Sequence, residues 1–249
     1  LLAFAGNPNY TFQIDSDIDM TAVPGYAIAD VNGQLLGQGF TISGVDINLA
    51  GIQQAGFIGH VGASGVVDGV KLSAPLVSGG MEAGGLVGLN EGVVSNSSIT
   101  GGSVSGTDLV GGLVGWNRGS ISFGYADAVT VNGLSEVGGL VGNNTIGSIG
   151  YSFVKASTVN GLMNVGGLAG TNHAAVILQT AVVGTNVSGN SSVGGLVGIN
   201  QGGTGGVGGY GAISPAVGAT GIGSSIDNSY VSGGSISGTG AAASNVGGR

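Results

Sequence analysis

Three carboxylates, those of Asp15, Asp17 and Asp19, recur at every second residue of a short segment near the start of the chain. Apolar residues alternate with polar ones along this segment, which predicts a strand that buries one face and exposes the acidic one. Three exposed carboxylates could hold Ca²⁺ through oxygen ligands. The spacing lacks the glycine and the distal Glu of an EF-hand loop, so a solvated acidic strand end is the alternative interpretation. No other cofactor is indicated.

The remaining ionisable side chains do not form a recognisable catalytic pattern. Glu82, Asp108 and Glu136 fall near one position of successive repeats, which gives a weak acidic stripe. A glycosidase needs two carboxylates that face one cleft, and these acids are dispersed. His60 and His173 have no nucleophile or metal ligand at a suitable spacing. The sequence therefore predicts that the chain is not an enzyme, with no catalytic residue.

Composition excludes several classes of partner. The 249 residues include 57 glycines, only 6% charged residues and four Lys or Arg, for a net charge of −8. Four scattered cations cannot neutralise a phosphate backbone, so we expect no nucleic-acid binding. No apolar run reaches the ~18 residues of a spanning helix, so we expect no membrane insertion within this segment. Cysteine is absent, which excludes disulfides.

A repeat of Gly-Gly-Leu-Val-Gly-x-Asn type, in which Ala once replaces Val, dominates the chain. Its copies begin at Gly84, Gly111, Gly138, Gly166 and Gly194, at intervals of 27, 27, 28 and 28 residues. The structural repeat positions are Gly84, Gly85, Leu86, Asn90, Gly111, Gly112, Leu113, Asn117, Gly138, Gly139, Leu140, Asn144, Gly166, Gly167, Leu168, Asn172, Gly194, Gly195, Leu196 and Asn200. A fixed period of this length indicates a solenoid. The asparagine column predicts a turn ladder of stacked amides, with a catalytic role as the alternative.

Three short apolar segments per repeat, separated by Gly or Asn corners, predict β-strands because none is long enough for a helix. Apolar columns in the same register, such as Val104, Val131, Val159 and Val187, predict that successive coils stack. The expected fold is all-β, a right-handed parallel β-solenoid (β-helix) with three-strand coils of about 27 residues. Residues 1–50 are expected to form a capping lead-in of a short helix plus strands. Residues 51–249 form the solenoid, with a Gly-rich insert at 201–223 that is either a mobile loop or a partner-binding feature.

These residues resemble the GLUG-motif repeats of large bacterial surface and secreted proteins. The five copies carry the resemblance, together with Gly-Ser-Ile-x-x-x-Tyr segments such as 119–125 and the Gly-Phe-Thr-Ile-Ser segment at 39–43. In the last segment Phe40 replaces the His that the family pattern has. The resemblance implies a β-solenoid at the cell surface or in the extracellular space, often in adhesins related to filamentous haemagglutinin. It implies no single activity.

Five sequons predict glycosylation acceptors in a suitable host; their asparagines are Asn9, Asn96, Asn143, Asn186 and Asn190. For the chain as a whole, we expect a secreted or cell-surface structural or adhesive module that binds a host or cell-surface receptor or glycan. A self-assembling filament subunit is the first alternative, because the sequence stops inside a repeat at 245–249 and open strand edges invite pairing. A polysaccharide-acting β-helix enzyme is the second.

Overall fold

The computed structural model describes residues 7–49, 51–202 and 224–239. Within these ranges the chain is all-β, with 36 short strands and no helix. The strands are parallel and stack coil upon coil into five sheets, at about 28 residues per turn. The predicted parallel β-solenoid is therefore confirmed.

The sheets are numbered here in the order in which one coil visits them. Sheet 1 consists of Thr11–Gln13, Gln34–Leu36, Val66–Asp68, Val93–Ser95, Ser120–Ser122, Ser148–Gly150, Val176–Leu178 and Ser225–Asp227. Sheet 2 consists of Ile18–Asp19, Thr41–Ser43, Lys71–Ser73, Ser98–Thr100, Tyr125–Asp127, Phe153–Lys155, Ala181–Val183 and Tyr230–Ser232. Sheet 3 consists of Asp46–Asn48, Leu76–Ser78, Ser103–Ser105, Thr130–Asn132, Thr158–Asn160, Asn186–Gly189 and Ile236–Gly238.

The last two sheets flank the Gly-Gly pair of each repeat. Sheet 4 precedes it and consists of Gln54–Ala55, Glu82–Gly84, Val110–Gly111, Ser135–Gly138, Met163–Gly166 and Ser191–Gly194. Sheet 5 follows it and consists of Ile28–Val31, Ile58–Val61, Val87–Asn90, Val114–Asn117, Val141–Thr145, Ala169–His173 and Val197–Gln201.

Each full coil thus carries five short strands, where the sequence predicted three. Most strands have two to four residues, and a typical one buries only its central side chain, as Ile121 does between two half-buried serines. A single inward residue leaves too weak an alternation to mark a strand in the sequence. The Gly-Gly pair interrupts another apolar segment that the sequence predicted as a single strand, and the two parts belong to sheets 4 and 5.

The core consists of columns of identical or similar residues that the pairing brings into register. One column runs through sheet 1 and contains Val94, Ile121, Ile149, Ile177 and Ile226. A second runs through sheet 3 and contains Val104, Val131, Val159, Val187 and Ile236. Both columns are buried apart from Ile236, which packs against the core at its end. The register predicted from the sequence is confirmed in these columns.

Glycine is required where the backbone of one coil packs against the next. A Cβ on Gly112 would lie 2.1 Å from the carbonyl oxygen of Gly139, and a Cβ on Gly139 would lie 2.2 Å from that of Gly167. The following Leu113 and its counterpart Leu140 are fully buried. The repeated Gly-Gly-Leu is therefore an inward step of the backbone that brings a leucine to the solenoid axis.

The strands before residue 50 belong to the same sheets as the later coils. Thr11–Gln13 pairs with Gln34–Leu36, which in turn pairs with Val66–Asp68. The expected helix at 1–5 and nearly all of the insert at 201–223 lie outside the described residues, as does the end of the chain at 245–249. No helix in the described part is long and apolar enough to cross a membrane.

Candidate functional site

A group of exposed aromatic rings lies at the corner between sheets 1 and 2. We call it the aromatic surface, defined as Phe123, Tyr125, Tyr151, Phe153 and Tyr230. Between 42% and 56% of Phe123, Tyr151, Phe153 and Tyr230 is exposed. Most other outward positions of these two sheets carry small or polar residues, so the aromatic surface is a local departure from the rest of sheets 1 and 2.

Three residues of the aromatic surface, Tyr125, Phe153 and Tyr230, are the first residues of their strands in sheet 2. The pairing places Tyr125, Phe153, Ala181 and Tyr230 in one column, with Ser98 in the coil before them. The rings of Tyr125 and Phe153 are in contact, with their centroids 4.1 Å apart and their planes tilted by 39°. Ala181 interrupts the column and leaves a gap between Phe153 and Tyr230.

The other two residues occupy the turn that joins the two sheets. Phe123 and Tyr151 have φ values of 54° and 51°, and their rings are stacked at 5.1 Å with an interplanar angle of 14°. Left-handed backbone favours Asn or Gly over bulky residues. Two other coils follow that rule, with Asn96 and Asn228 at the same corner at φ values of 49° and 48°, whereas a third has Gln179 there at 52°. Backbone conformation therefore does not explain why aromatic residues occupy these two turn positions.

Tyr125 anchors a small polar network at the edge of the aromatic surface. Its hydroxyl donates a hydrogen bond of 2.5 Å to Oδ2 of Asp127, and Nζ of Lys155 lies 3.8 Å from the same oxygen. Burial raises the pKa of Tyr125 to about 12, with the hydrogen bond to Asp127 and the negative charge of Asp127 as further causes. Lys155 and Asp127 balance each other's charge at this edge.

The gap at Ala181 opens into a groove of about 600 Å³. Phe153 and Tyr230 lie on either side of Ala181, Tyr151 lines the corner side of the groove, and Lys155 lines the opposite end. We call this groove the notch. Gln179 and Asn228 lie at its corner side; both are exposed, and neither amide has a hydrogen-bond partner within residues 7–49, 51–202 and 224–239. The notch therefore combines ring faces with free neutral amides.

The three carboxylates of the acidic strand end differ in their local hydrogen-bond partners. Oδ1 of Asp17 accepts a hydrogen bond from the backbone N–H of Thr41, and Oδ1 of Asp19 accepts bonds from both the N–H and the hydroxyl of Thr21. The hydroxyl bond from Thr21 is the main cause that lowers the pKa of Asp19. Asp15 is exposed, and no group of three or more metal-ligating side chains occurs among the described residues. Calcium binding here stays a prediction from the sequence.

The repeated asparagines form a buried line of amides through sheet 5. Nδ2 donates to Oδ1 of the next coil from Asn90 to Asn117, Asn117 to Asn144 and Asn144 to Asn172, at 2.7, 2.7 and 2.8 Å. The line continues from Asn172 to Asn200 at 2.8 Å. All five lie in strands, so the left-handed geometry expected of a turn does not explain them. Their amides satisfy one another inside the coil.

The sequons lie on several different faces. Asn9, Asn96, Asn186 and Asn190 are exposed, whereas Asn143 is half-buried and donates from Nδ2 to Oε2 of Glu136. In the acidic stripe, Glu82 is buried and bonded to Gln53, whereas Asp108 and Glu136 are half-buried and close enough for the charge of Asp108 to act on Glu136.

The column of Tyr125, Phe153, Ala181 and Tyr230 is visible in the sequence, because each member follows Ile121, Ile149, Ile177 or Ile226 by four residues, but the sequence assigns it no role. Neither Phe123 and Tyr151 nor the notch was predicted from the sequence. The available signal was the recurrence of two aromatic residues at i and i+2 in two successive repeats, Phe123 with Tyr125 and Tyr151 with Phe153. Alternate residues of a strand face the same side, but Phe123 and Tyr151 lie in the turn before the strand, so strand alternation does not reveal this relationship.

Comparison with known proteins supports the fold alone. No protein-family model matches the chain, and no curated protein matches its sequence. A crystal structure of a "putative immunoglobulin A1 protease" from Bacteroides ovatus is similar over 89% of this chain and 68% of that one, with a TM-score of 0.57 and 17% sequence identity. At that identity the likeness shows that the two chains share a solenoid architecture.

Proposed function

We propose that this chain works outside the cell as an adhesive stalk, a rigid solenoid whose aromatic surface is the contact with a receptor or glycan. The observation that carries the proposal is the group of exposed rings. Phe123, Tyr151, Phe153 and Tyr230 expose large apolar faces to solvent without packing against the core. Aromatic side chains are enriched at binding sites because they offer a large contact area at a small cost in conformational entropy.

The surrounding scaffold supports a binding role more than a catalytic one. The strands that carry Tyr125 and Phe153 are paired on both sides by neighbouring coils, and the strand of Tyr230 pairs with that of Ala181, so the backbone that carries the site is held in place. The carboxylate that contacts the aromatic surface, that of Asp127, is engaged by Tyr125 and Lys155. The proposal therefore includes recognition and no chemical step. The extracellular setting rests on the resemblance of the repeats to bacterial surface proteins.

Adhesion of protein-coated microspheres tests the proposal. Spheres carrying the chain are passed over immobilised glycans, mucin and matrix proteins, and detachment is measured under flow. A fourfold variant takes its replacements from the same columns of other coils: Phe123→Asn and Tyr151→Asn follow Asn96, and Tyr125→Ser and Phe153→Ser follow Ser98. We expect it to fold normally and to lose adhesion.

A matched control removes exposed apolar groups elsewhere. Leu134 and Leu162 are 53% and 46% exposed at the edge of sheet 4, and their neighbours along the stack are Thr107 and Asn190. The double variant Leu134→Thr, Leu162→Asn should adhere like the unchanged protein. Adhesion that is absent from the unchanged protein, or equal in the fourfold variant, would overturn the proposal.

A further inference from the structure

We infer that the notch is a carbohydrate subsite that holds one pyranose ring of a neutral glycan between Phe153 and Tyr230. The inference rests on the proposed function and names its ligand. It starts from the spacing of three strands of sheet 2, in which Phe153 pairs with Ala181 and Ala181 with Tyr230.

The separation of the two rings suits a sugar. Adjacent parallel strands lie about 4.8 Å apart, so two steps place the outer strands roughly 10 Å apart. One pyranose chair in van der Waals contact on both sides, at about 4 Å from each ring, occupies such a gap. The axial C–H groups of a sugar carry partial positive charge and pack against the negative face of an aromatic ring. Ala181, with its single methyl group, leaves that space open.

The polar lining complements hydroxyl groups. Gln179 and Asn228 each offer an amide that both donates and accepts, as vicinal sugar hydroxyls do. The other hydroxyls at the floor are already engaged: Thr180 Oγ1 donates to Ser229 Oγ at 2.9 Å, and Ser152 Oγ donates to the carbonyl of Gly150 at 2.8 Å. The two amides, together with the phenol hydroxyls of Tyr151 and Tyr230, are therefore the polar groups left to orient a ligand.

The charge of the site selects a neutral glycan. Lys155 is the charged residue in the lining of the notch, and its ammonium lies 3.8 Å from Asp127. The chain as a whole has a net charge of −8, which repels polyanions at a distance. A neutral polyhydroxylated ligand meets no such barrier. Acidic glycans are accordingly the alternative that the experiment must separate.

A glycan array with affinity measurements tests the inference. The probes are neutral oligosaccharides of glucose, galactose, mannose and N-acetylglucosamine, with polygalacturonate and heparan sulfate as acidic probes. The unchanged chain should bind at least one neutral probe, with an affinity that 0.5 M NaCl (roughly a 4 Å screening length) leaves unaltered. Binding only to acidic probes, lost in salt, would overturn the inference.

The variant Ala181→Tyr isolates the notch from the rest of the aromatic surface. A tyrosine already occupies this column at Tyr125 and Tyr230, so the scaffold accepts it, and the new ring adds aromatic area while it fills the gap. We expect at least a tenfold loss of glycan affinity. Tyr230→Ser, which introduces the residue that Ser98 places in the same column, should lose affinity to a similar degree with an unchanged thermal unfolding midpoint.

The two proposals fail in different ways. If Ala181→Tyr binds the neutral probes as well as the unchanged chain does, the notch is not the subsite, while adhesion through the remaining rings can still stand. If the unchanged chain adheres to no surface and binds no probe, both proposals are wrong.

Discussion

Nδ2 of Asn117 donates a hydrogen bond of 2.7 Å to Oδ1 of Asn144 inside the solenoid, 27 residues along the chain and one coil away. Both side chains are fully buried. The same bond recurs in the coils on either side, so each interior amide of the line accepts from one coil and donates to the next. Such a fully satisfied network fixes the register of the coils, because a slip by one residue would bury unpaired amides.

Replacing Asn117 by Leu should lower the free energy of unfolding by about 1–3 kcal/mol. The change leaves Nδ2 of Asn90 and Oδ1 of Asn144 without their partner in a buried setting. Urea unfolding followed by circular dichroism measures the loss. Asn160→Ser is the control, because Asn160 is half-buried and Ser188 occupies its column in the next coil. A control as damaging as Asn117→Leu would contradict the special role of the interior line.

Leu113→Asp should unfold the stack locally. Leu113 is fully buried at the inward step that follows Gly112, and an isolated carboxylate there would lose its hydration without a charged partner. The milder Leu113→Ala should cost about 2–5 kcal/mol by leaving a cavity. Thermal unfolding checks both variants against Leu134→Ala, whose side chain is 53% exposed. An unchanged midpoint for Leu113→Asp would contradict the core assignment.

Substitution should lower the thermal unfolding midpoint at Gly112 but not at Gly150. A Cβ on Gly112 would lie 2.1 Å from the carbonyl oxygen of Gly139, so Gly112→Ala should push adjacent coils apart and lower the unfolding midpoint. Gly150 has only the carbonyl oxygen of Leu178 near its added Cβ, at 3.9 Å, and pairs with Ser122 in its column. Gly150→Ser should therefore leave the midpoint unchanged. Equal midpoints for both variants would show that the close approach at Gly112 can relax.

Titration of the tyrosines should reveal one that ionises late. The pKa of Tyr125 is raised to about 12, mainly by burial and then by its bond to Asp127. Because the folded pKa exceeds the usual value near 10, the contribution of this group to stability is complete below pH ~10 and is lost as pH rises toward 12. Ultraviolet absorbance of phenolate measures the titration. Tyr125→Phe should remove the titration step near pH 12 and leave the titration of the other tyrosines unchanged.

Glu136 should make the solenoid more stable at acidic than at neutral pH. Burial raises its pKa above 4.5, and the charge of nearby Asp108 adds to this, whereas Asn143 and His173 act in the opposite direction. The protonated form is favoured by folding, so the contribution is present below pH ~4.5 and declines as pH rises through the folded pKa. Glu136→Gln should be at least as stable as the unchanged chain at pH 7, and this difference in unfolding midpoint should shrink as the pH falls through the folded pKa of Glu136. A difference that does not change with pH would contradict the assignment.

The sequence by itself determined the period, the parallel stacking and the columns. A residue such as Ile121 recurs as Ile149 and Ile177 because every coil must present the same side chain to the same position of a continuous core. The asparagine ladder followed from the same periodicity. The number of strands did not, since two- and three-residue strands contain too little alternation to be distinguished from turns.

Only the tertiary structure decided where the aromatic rings meet. Ala181 and Tyr230 are 49 residues apart in the chain and become neighbours because the strands on either side of the insert keep the register of the stack. The gap between Phe153 and Tyr230 then exists because Ala181 is small and each coil adds a fixed rise. The repeat period shows which residues align in successive coils. The backbone path at the corner determines which side chains point to solvent and how much space lies between them.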